Sequence, residues 1–407
     1  MHFPACTAAV FAGIVPSRSG CCQSKACDVP LATGFSATAN GVVEDAAHIS
    51  PLEWLVLMHV LHVVGARPNF MKVAPMLRAL ETRGAAQSLV HTGQHYDANM
   101  SDVFFAQLGM PAPDVNLDVG SGSHAVQTAQ IMTRFEPMLL SRKPDLVLVY
   151  GDVNSTVAAA LVCSKLGVRL GHVEAGLRSF DRTMPEEINR LVTDQLADLL
   201  FTPSEDGDVN LQREGIAPEK IHRVGNVMID TLVRLLPAAE KTNGRTGRYA
   251  LVTLHRPSNV DSSERLQEIV KSLMEIQNEV EVVFPVHPRT RARLTELAMD
   301  TGNLRLLGPL PYIEFLALQR RAAVVITDSG GIQEETTFLR VPCLTLRTST
   351  ERPVTVAVGS NVLVGEDLAR LNEETARVLR GHGKQGRIPP LWDGHAAERI
   401  ADIVLSS

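Results

Sequence analysis

The sequence predicts an α/β protein built from two Rossmann-like domains that face a cleft. Short apolar runs alternate with helical patterns along most of the chain, which is typical of βαβ units in a parallel sheet. Runs such as Leu146–Tyr150 (LVLVY) are apolar throughout, as expected for strands covered on both faces. A polar break at Ala238–Arg248 interrupts the alternation, which then restarts. The chain therefore divides into two similar halves.

The regular pattern of the first half begins near Met58, and we predict a first domain over residues 58–237. Its expected elements are a strand at Leu55–Val64, a helix at Val73–Arg83, the strand Leu146–Tyr150, a helix at Thr156–Leu166, a strand at Arg169–Val173 and a helix at Pro185–Ala197. Residues 1–57 are rich in small residues and show no periodicity. We expect them to form a disordered extension that does not belong to the functional domain.

The second half follows the polar, glycine-bearing segment 238–248, which we predict to be a linker. Its expected elements are a strand at Tyr249–Leu254, a helix at Glu264–Gln277, strands at Val280–Val286 and Val324–Thr327, and a helix at Ile332–Leu339. These elements predict a second domain over residues 249–385. An amphipathic helix is expected at Ala396–Leu405, within the closing segment 386–407.

Composition favours a small-molecule partner. Aromatic residues make up 4% of the chain and the formal net charge is -6, so neither stacking platforms nor a basic surface for nucleic acid is expected. No apolar run reaches the roughly 18 residues that a membrane span needs. Only Cys163 and Cys343 lie beyond residue 27, which predicts no disulfide framework and a cytoplasmic location. The early cysteines lack the spacing of a zinc site, so no metal is expected.

The segment Gly65–Lys72 (GARPNFMK) follows a strand and opens a helix. Gly65 permits a tight turn, and Arg67 and Lys72 add two cations to a helix N-terminus that already attracts anions. The segment is therefore a candidate for phosphate binding. Read by itself, it also fits a plain turn with two surface cations.

A second candidate turn, Ser329-Gly330-Gly331, lies between an apolar strand and a helix. Glycines let backbone N–H groups approach a phosphate closely, with the helix dipole behind them. Further along the same helix, the Glu335 carboxylate could accept a hydrogen bond from a ribose hydroxyl. The alternative is a tight turn capped by Asp or Ser.

Three acids lie at or near strand ends in the first half: Asp152, Glu174 and Glu186. Carboxylates clustered in a cleft raise one another's pKa, which suits general acid and base catalysis. An acid in the first turn of a helix, as Glu186 is, also needs no function beyond capping. In the second half, His255 and His287 follow strands and could contact a phosphate or a base, although a single such histidine is often structural.

The segment Gly120–Ala125 (GSGSHA) matches the G-x-G-x-x-A pattern of dinucleotide-binding turns. The run before it is interrupted by Asn116 and Asp118, and no acid follows at the distance that a ribose contact requires. We therefore expect no nicotinamide cofactor.

Together these segments resemble the non-hydrolysing UDP-N-acetylglucosamine 2-epimerases. The segments that carry the resemblance are GARPNFMK (65–72), TGQHYD (92–97), GDVNST (151–156), HVEAGLR (172–178), MPEEINR (184–190), HRPSN (255–259), VHPRT (286–290), TDSGGIQEE (327–335) and ERP (351–353). They keep the family's order and span the chain from about Met58 onward.

The resemblance implies a GT-B type fold with UDP in the cleft, a last helix that crosses back to the first domain, a homodimer and no cofactor. The residues that it implies for UDP binding are Arg67, Lys72, His255, Phe315 (stacked on the uracil), Ser329, Gly330, Gly331, Glu335 and Arg352. The implied catalytic residues are Asp152, Glu174, Glu186 and His255, with Arg190 and His287 in support.

The implied reaction is reversible epimerisation of UDP-N-acetylglucosamine to UDP-N-acetylmannosamine. Because the C2 hydrogen has no adjoining carbonyl carbon, the implied route eliminates UDP to give a 2-acetamidoglycal and then re-adds it. Asn69, where many members carry Glu, and HRPSN, where many carry HRREN, leave the sugar substituents open. A 2-epimerase of a UDP-2,3-diacetamido sugar acid and a GT-B glycosyltransferase remain alternatives.

Overall fold

The structure is a computed structural model, and it describes residues 58–94, 105, 107–242, 245 and 247–407. These residues form two parallel β-sheets, of seven and six strands, each flanked by helices. The predicted α/β class with two Rossmann-like domains is therefore confirmed. The disordered extension that the sequence predicts at residues 1–57 lies outside the described residues, as do the four early cysteines.

The first sheet has the strand order β3-β2-β1-β4-β5-β6-β7. Its strands are β1 His59–Val64, β2 Ala86–His91, β3 Val115–Asn116, β4 Leu146–Tyr150, β5 Arg169–Val173, β6 Leu199–Thr202 and β7 Ile221–Arg223. The accompanying helices are α1 Arg67–Thr82, α2 His124–Arg142, α3 Asn154–Leu166, α4 Pro185–Leu196, α5 Glu205–Arg213 and α6 Val227–Lys241. The order reverses between β1 and β4, so a ligand is expected beyond the carboxyl ends of these two strands.

The second sheet has the order β10-β9-β8-β11-β12-β13. Its strands are β8 Tyr249–Thr253, β9 Glu281–Pro285, β10 Arg305–Leu307, β11 Val324–Thr327, β12 Cys343–Thr345 and β13 Asn361–Leu363. The helices are α7 Pro257–Val260, α8 Ser263–Gln277, α9 Pro288–Glu296, α10 Tyr312–Gln319, α11 Gly330–Leu339, α12 Pro353–Ala357, α13 Leu368–Leu379 and α14 Ala396–Ser406. Here the order reverses between β8 and β11.

Several element boundaries differ from the sequence predictions, and two of these differences have a clear cause in the structure. Helix α1 begins at Arg67 rather than Val73, because Pro68 fits the first turn and the Asn69 side chain accepts the N–H groups of Gly65 and Ala66. Helix α6 continues to Lys241, so the first four residues of the predicted linker 238–248 are helical. Burial explains this extension, since Ala239 packs with no exposed surface into the core.

Helix α14 completes the core of the first domain. Its residues Ile400, Ala401 and Val404 are fully buried in the same apolar cluster as Val60 of β1 and Phe70 of α1. The predicted crossing of the last helix back to the first domain is therefore confirmed. Among the described residues, no helix combines the length and the apolar character that crossing a bilayer requires.

Helix α14 is also held at its N-terminus by a side chain of α6. The Asp230 carboxylate accepts hydrogen bonds from Ala396 N at 3.2 Å and from Ala397 N at 2.7 Å. These backbone groups have no partner within the helix, so Asp230 caps it from a distant part of the chain.

We expect Ile400→Ala to lower the free energy of unfolding by about 2–5 kcal/mol, because it leaves a cavity in the core of the first domain. Leu405→Ala, on the same helix but 36% exposed, is the matched control and should cost less than about 1 kcal/mol. Urea unfolding followed by circular dichroism measures both values. Similar losses for the two variants would contradict the packing described for α14.

Candidate active site

The two points of strand-order reversal face one cavity of about 520 Å³. All the predicted site residues except Phe315 and His287 line it. They are Arg67, Lys72, Asp152, Glu174, Glu186, Arg190, His255, Ser329, Gly330, Gly331, Glu335 and Arg352. The cavity thus brings together acids from the first domain and the glycine turn of the second, although the role of each residue stays a prediction.

The turn at Gly65–Arg67 is fixed by the buried side chain of Asn69. Its Oδ1 accepts hydrogen bonds from Gly65 N and Ala66 N, both at 3.0 Å, and its Nδ2 donates to Tyr150 O at 2.7 Å. A glutamate at this position could accept the two N–H groups but could not donate to the carbonyl. Asn69 therefore ties the cationic turn to the end of β4, two residues before Asp152.

Glu174 lies just beyond the end of β5 with a φ of 76°, a left-handed conformation that is costly for a residue with a Cβ. Its carboxylate contacts Lys72 Nζ and lies 3.1 Å from Arg352 Nη2. Burial by itself raises the pKa of Glu174, but the charges of Lys72 and Arg352 outweigh burial and hold the pKa below its ordinary value. Glu174 is therefore an ionised carboxylate at neutral pH.

Arg352 lies among carboxylates from both domains. Besides Glu174, its guanidinium contacts Glu351 through Nη1 and lies 3.0 Å from Glu334 Oε1 through Nε. These contacts leave Arg352 almost completely buried. Burial lowers the pKa of Arg352, but the charge of Glu334 and the other nearby acids raises it well above its ordinary value. Arg352 thus supplies a fixed positive charge next to the acids.

Asp152 is paired with the buried Arg190, whose Nη1 contacts its carboxylate. Arg190 also donates from Nη2 to Glu187 Oε2 at 2.6 Å. Glu187 accepts the backbone N–H groups of Ser179 and Phe180 at 3.0 and 2.9 Å, so it fixes the loop that leads to Glu186. The neighbouring acids Glu186 and Glu187 therefore have different positions: Glu186 lines the cavity, and Glu187 does not.

On the second domain, the fully buried Asp328 arranges the residues that follow β8. Its carboxylate accepts hydrogen bonds from His255 N and from Arg256 N, the latter at 3.0 Å, and lies 3.1 Å from His255 Nδ1. Burial raises the pKa of Asp328, but its bond with His255 outweighs burial and lowers the pKa. The carboxylate thereby holds His255 at the mouth of the cavity.

Two cavity residues that the sequence predictions left unassigned are Glu334 and Tyr312. Tyr312 donates from its hydroxyl to Glu335 Oε1 at 2.9 Å. Burial raises the pKa of Glu335 to about 7, so its carboxyl can hold a proton at neutral pH. Burial also raises the pKa of Glu334, whose carboxylate is paired with Arg352. The sequence contains this pair of glutamates in TDSGGIQEE. However, adjacent residues of a helix point in different directions, so only Glu335 was expected to reach the site.

Phe315 and His287 do not line the cavity. Phe315 is half-buried and packs against an apolar cluster that includes Tyr249 and Leu251. His287 is exposed, and its ring centroid lies 5.9 Å from that of His255. The stacking of Phe315 on uracil and the support from His287 thus stay predictions, and the cavity described here does not include either side chain.

The dinucleotide-like segment GSGSHA follows a strand of only two residues, β3, and leads into α2 at His124. Ser123 caps this helix by accepting a hydrogen bond from Val126 N. Over the described ranges, no group of three or more His, Cys, Asp and Glu side chains is arranged to hold a metal ion.

Known proteins match both the sequence and the fold. The family profile described as UDP-N-acetylglucosamine 2-epimerase matches residues 78–405. A UDP-N-acetylglucosamine 2-epimerase from Methanocaldococcus jannaschii is 43% identical over 358 residues, which cover 84% of this chain and 97% of that protein. A UDP-2,3-diacetamido-2,3-dideoxy-D-glucuronate 2-epimerase from Pseudomonas aeruginosa is 43% identical over 353 residues, covering 85% and 99%.

A solved structure supports the same assignment. The crystal structure of the M. jannaschii UDP-GlcNAc 2-epimerase in complex with UDP-GlcNAc and UDP superposes with a TM-score of 0.80 at 42% identity. The match covers 86% of this chain and 100% of that one. The resemblance found in the sequence motifs is thereby confirmed. The chain belongs to the UDP-N-acetylglucosamine 2-epimerase family.

Proposed function

We propose that this protein interconverts UDP-N-acetylglucosamine and UDP-N-acetylmannosamine by inverting C2 of the sugar. The observation that carries the proposal is the shared cavity. Asp152, Glu174 and Glu186 of the first domain line the same space as the Ser329–Gly331 turn of the second. Acids able to move protons therefore lie within reach of a turn suited to a diphosphate.

The proposed reaction proceeds by elimination and re-addition. A carboxylate removes the proton from C2, the C2–H electron pair forms the C1=C2 bond, and the C1–O bond breaks to release UDP. The bound 2-acetamidoglycal then receives a proton at C2 on the opposite face, and a diphosphate oxygen re-forms the bond to C1. The net change is an isomerisation that consumes no co-reactant.

The charges of the cavity suit these steps. Lys72 and Arg352 can stabilise the negative charge that develops on departing UDP. The Glu186 carboxylate lines the cavity and pairs with no side chain of the described residues, which leaves it available for proton transfer. Asp152 is oriented by Arg190 on the side of the first domain.

A second UDP-sugar, with different substituents on the sugar, is also a candidate substrate. The P. aeruginosa relative, named as a 2-epimerase of a diacetamido glucuronate, is as similar to this chain as the M. jannaschii enzyme. Parallel turnover assays with the two UDP-sugars separate these candidates. A GT-B glycosyltransferase would instead transfer the sugar to an added acceptor without epimerisation, and it would not need three acids.

The proposal includes a cytoplasmic homodimer. The two described cysteines, Cys163 and Cys343, are free and buried, which suits a reducing compartment. Light scattering on the purified chain tests the dimer, and a monomer at micromolar concentration would contradict it.

In deuterated water, we expect the enzyme to place deuterium at C2 of both UDP-N-acetylhexosamines, because the proton removed from C2 exchanges before it is returned. NMR and mass spectrometry of the products measure the incorporation. Absence of deuterium at C2 with every UDP-N-acetylhexosamine tested would reject the proposed reaction.

We expect Asp152→Asn and Glu186→Gln each to lower turnover by about 10²–10⁴-fold, because each removes a group proposed to transfer or orient a proton. UDP affinity, measured by calorimetry, should change little. Glu279→Gln, which alters an exposed acid outside the cavity, is the control and should keep full activity. Intact turnover in both cavity variants would refute their assigned roles.

The two glycines of the proposed diphosphate turn differ in their surroundings. A Cβ at Gly330 would lie 2.5 Å from Arg352 Nη1 and 2.9 Å from Glu351 Oε1, whereas a Cβ at Gly331 would meet only Met228 Cε, at 3.8 Å. Gly330 therefore has to be glycine for Arg352 to keep its place.

We expect Gly330→Ala to destabilise the ligand-free protein by about 1–3 kcal/mol through displacement of Arg352. Gly331→Ala is the matched control and should change stability by less than about 1 kcal/mol, since its φ suits any residue. Urea unfolding without ligand compares them. Equal stability of the two variants would show that the glycine at 330 is not required by Arg352.

A further inference from the structure

His172 on β5 is a buried histidine that lies behind the cavity rather than in it. Its ring has no exposed surface. The Nδ1 atom lies 2.6 Å from Asp194 Oδ1, and the Nε2 atom lies 2.8 Å from the backbone oxygen of Gly151. His172 therefore connects α4 to the turn that carries Asp152.

Both partners of this ring are acceptors. A carboxylate oxygen and a peptide carbonyl oxygen have no hydrogen to donate, so the two short contacts are hydrogen bonds only when both ring nitrogens carry hydrogen. Such a ring is an imidazolium with a positive charge. The negative charge of Asp194, which is also fully buried, lies directly beside it.

His62 on β1 provides a contrast within the same sheet. It is equally buried, with Nδ1 2.6 Å from the Tyr150 hydroxyl and Nε2 3.0 Å from Gln87 Oε1. Because a hydroxyl can donate, a neutral ring satisfies both contacts of His62. Burial lowers the pKa of His62 to about 4, in agreement with that neutral form.

The positive charge of the His172 ring is one of four charges, two positive and two negative, that pair with one another. Asp194 Oδ2 lies 2.7 Å from Arg178 Nη2, and Arg178 donates to the two oxygens of Glu214 at 2.8 and 2.6 Å. Two cations thus alternate with two anions. A buried charge is tolerated when it is paired and hydrogen-bonded in this way.

The turn that His172 contacts has a side-chain donor on each of three consecutive carbonyls. Tyr150 O accepts from Asn69 Nδ2 at 2.7 Å, Gly151 O accepts from His172, and Asp152 O accepts from Asn189 Nδ2 at 2.8 Å. The arrangement sets the backbone from which the Asp152 carboxylate projects into the cavity.

The group of charges around His172 also contacts the segment that carries Glu174. Asp194 Oδ2 accepts a hydrogen bond from Gly176 N at 3.1 Å, two residues beyond Glu174. Gly151 N donates to Val173 O at 3.0 Å, which joins the two acid-bearing segments directly. A shift of the imidazole would therefore move Asp152 and Glu174 together.

We propose that His172 is a positioning residue, held as an imidazolium by Asp194, that fixes the backbone on which Asp152 and Glu174 are presented to the substrate. It touches neither the substrate nor the cavity. The kinetic part of this proposal rests on the proposed epimerase function, whereas the protonation of the ring does not. Asp194 lies against the ring, Arg178 pairs with Asp194, and the negative charge of Glu174 also interacts with the ring.

The first test is NMR of the ligand-free protein labelled with ¹⁵N-histidine, with His172→Gln and His62→Gln used to assign the signals. We expect both nitrogens of His172 to show attached protons at pH 7, and one nitrogen of His62 to be of the unprotonated type. An unprotonated nitrogen on His172 at this pH would overturn the proposal, whatever reaction the protein catalyses.

The second test compares the same two variants in turnover. A glutamine at 172 cannot hold both acceptors from the ring's position, so we expect kcat to fall about 10–100-fold with little change in KM or in UDP affinity. His62→Gln, equally buried in the same sheet, should keep kcat within about twofold of the parent.

The results of these two tests distinguish a failure of the His172 proposal from a failure of the proposed epimerase function. Equal kcat values for the two variants would refute the positioning role. A parallel loss of UDP binding in His172→Gln would also refute it, because the effect would then be general unfolding of the site. If the parent protein shows no epimerase turnover, the proposed function fails while the NMR result still decides the state of His172.

Discussion

The ion pair between Arg352 and Glu174 is the interaction on which the cleft depends. It joins a guanidinium of the second domain to a carboxylate of the first, in a place where both side chains are nearly free of solvent. Loss of Arg352 would leave Glu174 with Lys72 as its remaining cation, and loss of Glu174 would leave Arg352 paired only with acids of its own domain. The ion pair that sets the electrostatics of the site therefore also helps to hold the two domains together.

The acids of this protein divide into two groups by what their oxygens accept. Asp328, Glu187 and Asp194 accept backbone N–H groups and hold the turns beside the cavity. Glu174 and Glu186 instead present their carboxylates to the cavity itself. Buried acids of the first group set geometry, and this allows the second group to stay in place without direct support from the backbone.

Much of the fold followed from the sequence because its signals are local. Apolar runs such as Leu146–Tyr150 are typical of strands covered on both faces, and the motifs that follow strands were expected at the carboxyl edge of a sheet. The start of α1 and the end of α6 were misplaced because both depend on tertiary contacts, those of Asn69 and Ala239.

The site was predictable to the level of motifs but not of individual neighbours. The local pattern does not distinguish Glu186 from Glu187, and only the family motif selected Glu186, because the choice between cavity and loop depends on the orientation of the helix. The same limit applies to Glu334, which reaches the cavity from the residue before Glu335. The HVEAGLR motif contained His172, but its two acceptors, Asp194 of α4 and Gly151 just after β4, lie 22 and 21 residues away from it in the chain.

The placement of α14 has a consequence for how the chain is made. This helix supplies part of the first domain's core, yet it follows the whole second domain in the chain. During translation, the strands of the first domain are therefore synthesised long before α14, the helix that packs against them. Folding of that domain can finish only after the second has been synthesised, and the exposed apolar face of the waiting intermediate is a natural binding site for chaperones.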